Sequence, residues 1–392
     1  MKKKILFMVI NMNIGGTEKA LLNMINEMPR EEFDITIMML ENYGGFLNHI
    51  PKWVNVKFVN GYKEMKDILN DPPREMILKK FRSENLFKVL KLCIIYFLCT
   101  LKKERRILFK FILKYYPIDS TEYDIAVAYA GPMDFISYFV LEKIIAKKKI
   151  QWIHFDINKI GFNITFSSKL YKQYDQIAVV SEEAKEKFLM KLPLLENKTI
   201  LHENIISSEQ ISKLANKHES FNDSFDGIRI LTVGRLTYEK GQDLAINAMS
   251  KLIKNGYKVR WYCIGEGKSR EKYEKQIEEN NLVGHFILLG SKTNPYPFIK
   301  DCDIYVQPSR YEGYCITTLE ARFLNKPIIT TEVNGAKEQF LNRETGLIVK
   351  INEEEIYKSI RELIGNEILQ KKLENNLRIF NSTHNKGKTI FG

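Results

Sequence analysis

Cysteine is scarce in this chain, and several common functional signatures are absent. The five cysteines, Cys93, Cys99, Cys263, Cys302 and Cys315, are odd in number, widely spaced and form no Cys-x-x-Cys pair. A disulfide framework is therefore not expected, and a reducing compartment fits the pattern. No zinc-finger or homeodomain spacing occurs, and no cluster of metal-ligating residues is apparent. Neither a metal site nor a nucleic-acid partner is expected. The dinucleotide fingerprint Gly-x-Gly-x-x-Gly is missing as well. The apolar run from Leu92 to Leu101, which includes one Thr, has ten residues, half of the roughly 20 that a bilayer crossing needs. The opening MKKKILFMVINMN has an apolar core of only about six residues and leads into Gly15-Gly16, so it reads as a buried strand with a charged lead-in, not a secretory leader.

What is present describes a globular chain. Its 392 residues, 44% hydrophobic and 28% charged, suit two domains of roughly 150–200 residues better than one core or a disordered chain. The formal charge of +12 calls for an anionic partner. The lysines are dispersed, which favours phosphorylated substrates or an anionic membrane surface over nucleic acid.

In the first half, the short apolar run at 5–10 reads as a buried parallel strand, and 33–40 and 54–59 read as a second and a third strand of a parallel sheet. Gly15-Gly16-Thr17-Glu18 opens a helix that runs to about Met28. Two glycines at a strand-to-helix turn allow close backbone approach to an anion, or simply make a tight turn. Residues 62–87 are charged and irregular, with a break at Pro72-Pro73. In 88–116 the apolar run is surrounded by Lys88, Lys91, Lys102, Lys103, Arg105, Arg106, Lys110 and Lys114. Two readings stay open there: a segment lying in an anionic membrane interface, or a pair of buried helices with solvated basic faces. Further strands are expected at 124–129, 149–153, 176–180 and 199–201, with a helix over 134–146 between the first two. His154, at the carboxyl end of its strand, is a candidate to hydrogen-bond a hydroxyl or phosphate; a purely structural histidine is the alternative. Ser181 reads as an N-cap with a glutamate pair behind it. Residues 205–226 are polar and weakly patterned, which puts the domain boundary near 205/206.

The second half repeats one device. Strands at 228–233, 259–264, 286–289 and 304–307 each run into a glycine or polar loop, at Gly234, Gly265, Gly290 and Ser309. Four such ends make a ligand-binding edge on a parallel sheet. Arg235 and Lys240 flank one of these loops and suit a diphosphate as fork and point charge. Gly267 stands in another. Glu312 and Glu320 are eight residues apart, which on one helix would be about 80° around the axis. The reading instead puts Glu312 in a loop and Glu320 in a helix that begins after Cys315. They then contact two parts of one elongated ligand. A carboxylate suits sugar or ribose hydroxyls and repels phosphate. The phosphates fall to Arg235, Lys240 and the backbone N–H groups of Gly313, Tyr314, Cys315, Ile316 and Thr317 at that helix start. Positive side chains then stabilise a departing diphosphate without a divalent ion.

The run Gly15 to Glu18, the GRLTYEKG run from Gly234 to Gly241, Gly265 with Gly267, the PSRYEGYCITTLEA run from Pro308 to Ala321, and Gly335 with Glu338 together resemble the retaining glycosyltransferases of family 4. The resemblance implies an α/β GT-B fold, two Rossmann-like parallel-sheet domains facing across a cleft: an acceptor-side domain at 1–205 and a nucleotide-sugar domain at 206–370. It also implies that a last helix at 371–392 returns to the first domain. By the same resemblance Glu312 contacts the donor sugar, Glu320 the ribose, and Arg235 and Lys240 the diphosphate, which the donor-binding loop of Gly15 and Gly16 approaches from the other side of the cleft; His154 lines the acceptor side near the transferred sugar. The implied activity is metal-independent hexose transfer from a nucleotide diphosphate sugar, UDP favoured, with the sugar nucleotide as co-substrate and no cofactor. The implied acceptor is a surface glycan, a lipid-linked oligosaccharide or a wall polymer, used in the cytoplasm at the inner face of the cell membrane. An inactive glycan-binding or scaffold subunit and a sugar-nucleotide epimerase are the alternatives. Two departures from the family pattern stand out: EGYC at 312–315 where EGFG is usual, and His202-Glu203-Asn204 after the strand at 199–201.

Overall fold

The computed structural model describes residues 1–70, 86–102, 104–158, 161–217, 219–383 and 391. Pro72-Pro73, Lys103 and the side chains of Lys88 and Lys102 lie outside the described residues.

The described residues form two parallel sheets. The first contains β1 (Lys3–Val9), β2 (Phe33–Met39), β3 (Asn55–Phe58), β4 (Asp119–Ala128), β5 (Ile144–Ile153), β6 (Gln176–Val179) and β7 (Thr199–Leu201). Their spatial order is β3-β2-β1-β4-β5-β6-β7. The second contains β8 (Ile228–Val233), β9 (Val259–Ile264), β10 (Phe286–Leu288), β11 (Ile304–Gln307), β12 (Ile328–Thr331) and β13 (Leu347–Val349), in the order β10-β9-β8-β11-β12-β13. Every strand pairing is parallel.

Most of these strands are short buried apolar runs because both faces of each sheet are covered; the edge strand β3 is mostly exposed, and β4 and β5 begin with partly exposed halves. In the second sheet Ile230, Trp261, Ile304, Val306 and Ile329 enter one core cluster. Their neighbours Leu231, Tyr262, Tyr305 and Ile328 enter another, as the period of two requires. Strand order reverses between β1 and β4 in the first sheet and between β8 and β11 in the second. Such reversals open a crevice at the carboxyl ends of the strands.

The chain does not divide into units at a single point. Residues 14–27 and 180–184 segregate with the second unit, which resumes at His202. Gly15 and Gly16 therefore belong to that unit, not to the one expected from a split at 205/206. The reason is hydrophobic: Ala20, on the Gly16–Asn26 helix, is buried in one cluster with Tyr305, Ile316 and Leu319. The helix expected over 371–392 on the first unit is described as Glu367–Thr383 and belongs to the second; 384–390 and 392 lie outside the described residues. Leu373 and Leu377 enter that unit's two core clusters, and Asn381 donates to the Arg322 carbonyl at 2.8 Å.

The polar stretch 205–226 contains a helix at Ser208–Ala215, with Ser207 accepting from the Gln210 N–H as its cap. Another occupies Tyr62–Asn70. β5 begins at Ile144, directly after the Asp134–Lys143 helix, because Ile144 to Ala146 pair with the early residues of β4.

Residues 88–116 carry two helices, Leu86–Lys102 and Arg106–Ile112. Leu92 and Ile95 pack on Leu108 in a small cluster. The opposite face of the first helix presents Leu90, Ile94, Phe97 and Leu101, between 52% (Ile94) and 65% (Phe97) exposed. No described helix is long and apolar enough to cross a membrane.

Candidate active site

The second unit gathers the expected donor-site residues at the carboxyl ends of β8, β9, β10 and β11. Gly234 follows β8, and its N–H donates to the Ile264 carbonyl at 2.9 Å; Gly265 follows β9 and donates to the Gly290 carbonyl at 2.9 Å. A Cβ on Gly265 would lie 2.0 Å from the Gly234 carbonyl oxygen, so only glycine lets these strand ends meet. Gly267 closes on the Leu236 backbone in the same way, at 2.3 Å.

Lys240 stands in the turn before the Gln242–Lys254 helix. Its ammonium donates to both oxygens of Glu312 at 2.7 Å. Burial pulls the Lys240 pKa down, but the Glu312 carboxylate outweighs it and the net shift is upward. Glu312 is in the loop before the Ile316–Phe323 helix and Glu320 is inside that helix, as the spacing predicted. Arg310 fastens the two loops together. Its guanidinium donates to both Asp243 oxygens at 2.8 and 2.6 Å, its backbone N–H to the Glu239 carbonyl at 2.8 Å, and it stacks on Tyr238 at 4.0 Å. Gly241, with φ +70°, would place a Cβ 2.0 Å from the Pro308 carbonyl oxygen, so the turn that carries Lys240 lies flat on the loop that carries Glu312.

Arg235 does not join this pair. It is exposed and lies 3.6 Å from Glu239, while Gln242 holds its carbonyl at 2.9 Å.

Behind Glu312 runs a chain of side chains. Ser309 donates to Glu312 Oε1 at 2.6 Å, and Gln307 Nε2 donates to Ser309 at 2.9 Å. Gln307 Oε1 accepts from Tyr305 at 3.0 Å and from Thr317 at 3.2 Å. Thr317 has spent its one hydrogen there, so it accepts from the Cys315 thiol, 3.3 Å away. Burial, with the Glu312 charge behind it, pushes that thiol up to about 11 and keeps it protonated.

Glu320 is buried, and its Oε1 accepts from the Tyr296 hydroxyl at 2.8 Å. Burial raises its pKa; the Lys19 charge and the Tyr296 bond act in the opposite sense. Lys19, on the Gly16–Asn26 helix, lies 4.9 Å from the Tyr296 ring centre. Gly15 caps that helix, and a methyl group on Gly16 would lie 3.9 Å from Ile316, in ordinary contact. Glu18 is pushed up to about 6 by burial, against its own backbone bond and Arg235. Gly313 offers its carbonyl to Ser181 at 3.5 Å, and Ser181 also caps its own helix by accepting from Ala184 N–H at 3.1 Å. Tyr314 packs on Gly335, where a Cβ would come within 2.9 Å of its ring.

His154 belongs to the first unit. It follows β5, stacks on Trp152 at 6.0 Å and meets Tyr129 edge-on at 4.5 Å. Its backbone N–H donates to the Gly131 carbonyl at 3.1 Å.

Tyr296, Gln307 and Arg310 were not among the residues expected from sequence. A signal existed for Gln307, a polar side chain ending an otherwise apolar buried strand. Among the described residues, no group of three His, Cys, Asp or Glu side chains is arranged to hold a metal ion.

The sheets, their strand orders and the loops at the second reversal define a GT-B fold. The UDP-glucose complex of Anabaena HepE superposes with a TM-score of 0.69 at 16% identity, over 97% of this chain and 94% of that one. Within that fold, residues 215–380 match the family described as glycosyl transferases group 1. An uncharacterized glycosyltransferase of Methanocaldococcus jannaschii is 29% identical over 185 residues, 46% of each chain. The capsular polysaccharide biosynthesis glycosyltransferase CapM of Staphylococcus aureus is 30% identical over 217 residues, 52% of this chain and 55% of its own. The chain thus spans about half the length of the curated relatives it matches.

Proposed function

We propose that the protein is a retaining glycosyltransferase. It moves a hexose from a nucleotide diphosphate sugar, by preference a UDP-sugar, to a hydroxyl of a surface glycan, lipid-linked oligosaccharide or wall polymer. The observation that carries this reading is the Lys240–Glu312 pair, held at the strand-order reversal of the second sheet and inside the segment matched to the family. Glu312 orients the sugar hydroxyls. Lys240 gives two of its three N–H groups to Glu312, and the third is directed to the diphosphate. Arg235 and the N–H groups that open the Ile316–Phe323 helix add positive potential for the same group. Glu320 receives the ribose hydroxyls, and His154 serves the acceptor side.

In the reaction the bond from the anomeric carbon to the diphosphate oxygen breaks. The acceptor oxygen attacks from the same face through an oxocarbenium-like state, and the leaving phosphate takes the acceptor's proton. The charge growing on the diphosphate is what the cationic groups must meet. Two similar proteins agree with this reading: HepE forms a complex with UDP-glucose, and CapM serves capsular polysaccharide biosynthesis.

The acceptor reading includes contact with the anionic inner face of a membrane through residues 88–116. The apolar stripe Leu90, Ile94, Phe97 and Leu101, with Lys91, Arg105, Lys110 and Lys114 exposed nearby, has the chemistry of an interfacial helix. Sedimentation with phosphatidylglycerol vesicles at low salt tests this; a protein that stays in the supernatant overturns it. The donor is tested by calorimetry against UDP-, GDP-, ADP- and dTDP-sugars, followed by transfer assays. Lys240→Ala is expected to lose mostly turnover and Glu320→Ala mostly donor affinity. Wild-type kinetics in both variants would overturn the site.

A further inference from the structure

Gln307 reaches Glu312 through Ser309, and its amide decides which way the Ser309 and Thr317 hydroxyls point. The supply of donors and acceptors fixes this. Glu312 is a carboxylate and only accepts. Ser309, 2.6 Å from it, must therefore spend its single hydrogen on Glu312. Its oxygen is then left to accept, and the group 2.9 Å away has to be the NH2 of Gln307. The carbonyl end of the same amide is thereby turned toward two hydroxyls, Tyr305 and Thr317, which both donate to it. Gln307, Ser309 and Tyr305 are all fully buried. The period of two along β11 puts Tyr305 and Gln307 on one face of the strand, so the relay is anchored on a rigid element.

We infer that Gln307 is a positioning residue for Glu312, acting through a one-way hydrogen-bond relay Tyr305/Thr317–Gln307–Ser309–Glu312 that holds the carboxylate where Lys240 and the donor sugar meet it. The inference rests on the proposed role of Glu312 for its functional consequence; the relay itself rests only on geometry. A group of the same shape but opposite polarity would reverse it. In Gln307→Glu an ionised carboxylate has no hydrogen to give Ser309, which then divides its one hydrogen between two carboxylates. Protonating the introduced carboxyl restores a donor to Ser309 and an acceptor for Tyr305 and Thr317.

The test uses the full chain with Gln307→Glu and Gln307→Met, read two ways. Crystal structures of Gln307→Glu at pH 9 and pH 6 are expected to show Glu312 released from Ser309 at the higher pH and returned to it at the lower. Transfer from UDP-glucose, or from whichever sugar nucleotide calorimetry selects, is expected to fall more than about 100-fold in kcat at pH 9, with donor KM changed only a few-fold. It recovers toward wild type as pH falls to 6. Gln307→Met, which has no titratable group, is expected to lose turnover equally at both pH values. If the introduced carboxyl is shown by pH-dependent unfolding to ionise between pH 6 and 9 and Glu312 still stays on Ser309 at both pH values, or if Gln307→Met keeps wild-type turnover, the relay is overturned. If Glu312 moves with pH while transfer does not change, the relay stands and the reading of Glu312 as the sugar contact is overturned.

Discussion

Lys240 and Glu312 form an ion pair with two hydrogen bonds of 2.7 Å, and both side chains are largely withdrawn from solvent. Removing one partner strands the other charge, which costs about 3–5 kcal/mol in buried pairs, whereas replacing both can be close to neutral. K240M is therefore expected to destabilise the second unit by roughly 3 kcal/mol. The double variant K240M/E312L regains most of that stability and none of the transfer activity. Chemical unfolding alongside a transfer assay separates the two effects.

The bond from Tyr296 to Glu320 is wholly buried. Tyr296→Phe removes the donor and leaves a carboxylate oxygen without it, at a cost of about 1–3 kcal/mol. If Glu320 reads the ribose, the loss in donor affinity will be larger for a ribonucleotide sugar than for its 2′-deoxy counterpart. Calorimetry with UDP-glucose and dUDP-glucose measures the difference.

Two left-handed glycines separate backbone strain from steric contact. Gly241 and Gly256 have φ of +70° and +79°, but only at Gly241 is a Cβ obstructed, 2.0 Å from the Pro308 carbonyl oxygen. Gly256→Ala should cost about 1 kcal/mol, the left-handed penalty alone. Gly241→Ala should exceed about 2 kcal/mol and pull Lys240 out of register with Glu312. Comparison of urea midpoints gives both values.

Two groups of the second unit titrate in opposite senses. Burial raises Glu18 to about 6, above its value of 4.5, so its favourable contribution is complete below pH 4.5 and is lost as pH rises through 6. Burial lowers His202 from 6.5 to about 4, so its contribution is complete above pH 6.5 and is lost as pH falls through 4. Glu18→Gln should therefore raise stability at pH 8 by up to roughly 2 kcal/mol and leave pH 4 unchanged. His202→Asn should flatten the acid limb between pH 6.5 and 4. Unfolding free energies measured from pH 4 to 8 check both slopes.

Much of the fold was legible because each buried parallel strand is a short apolar run ending in a glycine or polar loop. Gly234, Gly265, Gly290 and Ser309 all mark strand ends in the structure. The Ser208–Ala215 helix was hidden because only Ile211 and Ala215 are buried in it, too few to make a stripe; its cap, Ser207 with Gln210, was the available clue. Tyr296–Asp301 is only six residues long and carries Pro295 and Pro297 at its start, where proline suits a first helical turn but leaves little helical pattern to read. The charged members of the site stood out in sequence. Their supports did not: Tyr296 and Arg310 reach their partners only through tertiary folding, and Gln307 was absorbed into the strand it ends.

Ala20, on the helix at 16–26, is buried with Tyr305, Ile316 and Leu319, which are encoded near the other end of the chain. During synthesis that helix leaves the ribosome long before its resting place exists. A fragment beginning at His202 would leave behind Ala20, which is buried with Ile316 and Leu319, and Ser181, which meets the Gly313 carbonyl. Expressed alone, such a fragment should be prone to aggregate, and supplying residues 1–201 as a separate polypeptide should rescue its solubility. The early segment is thus made first and finds its place last.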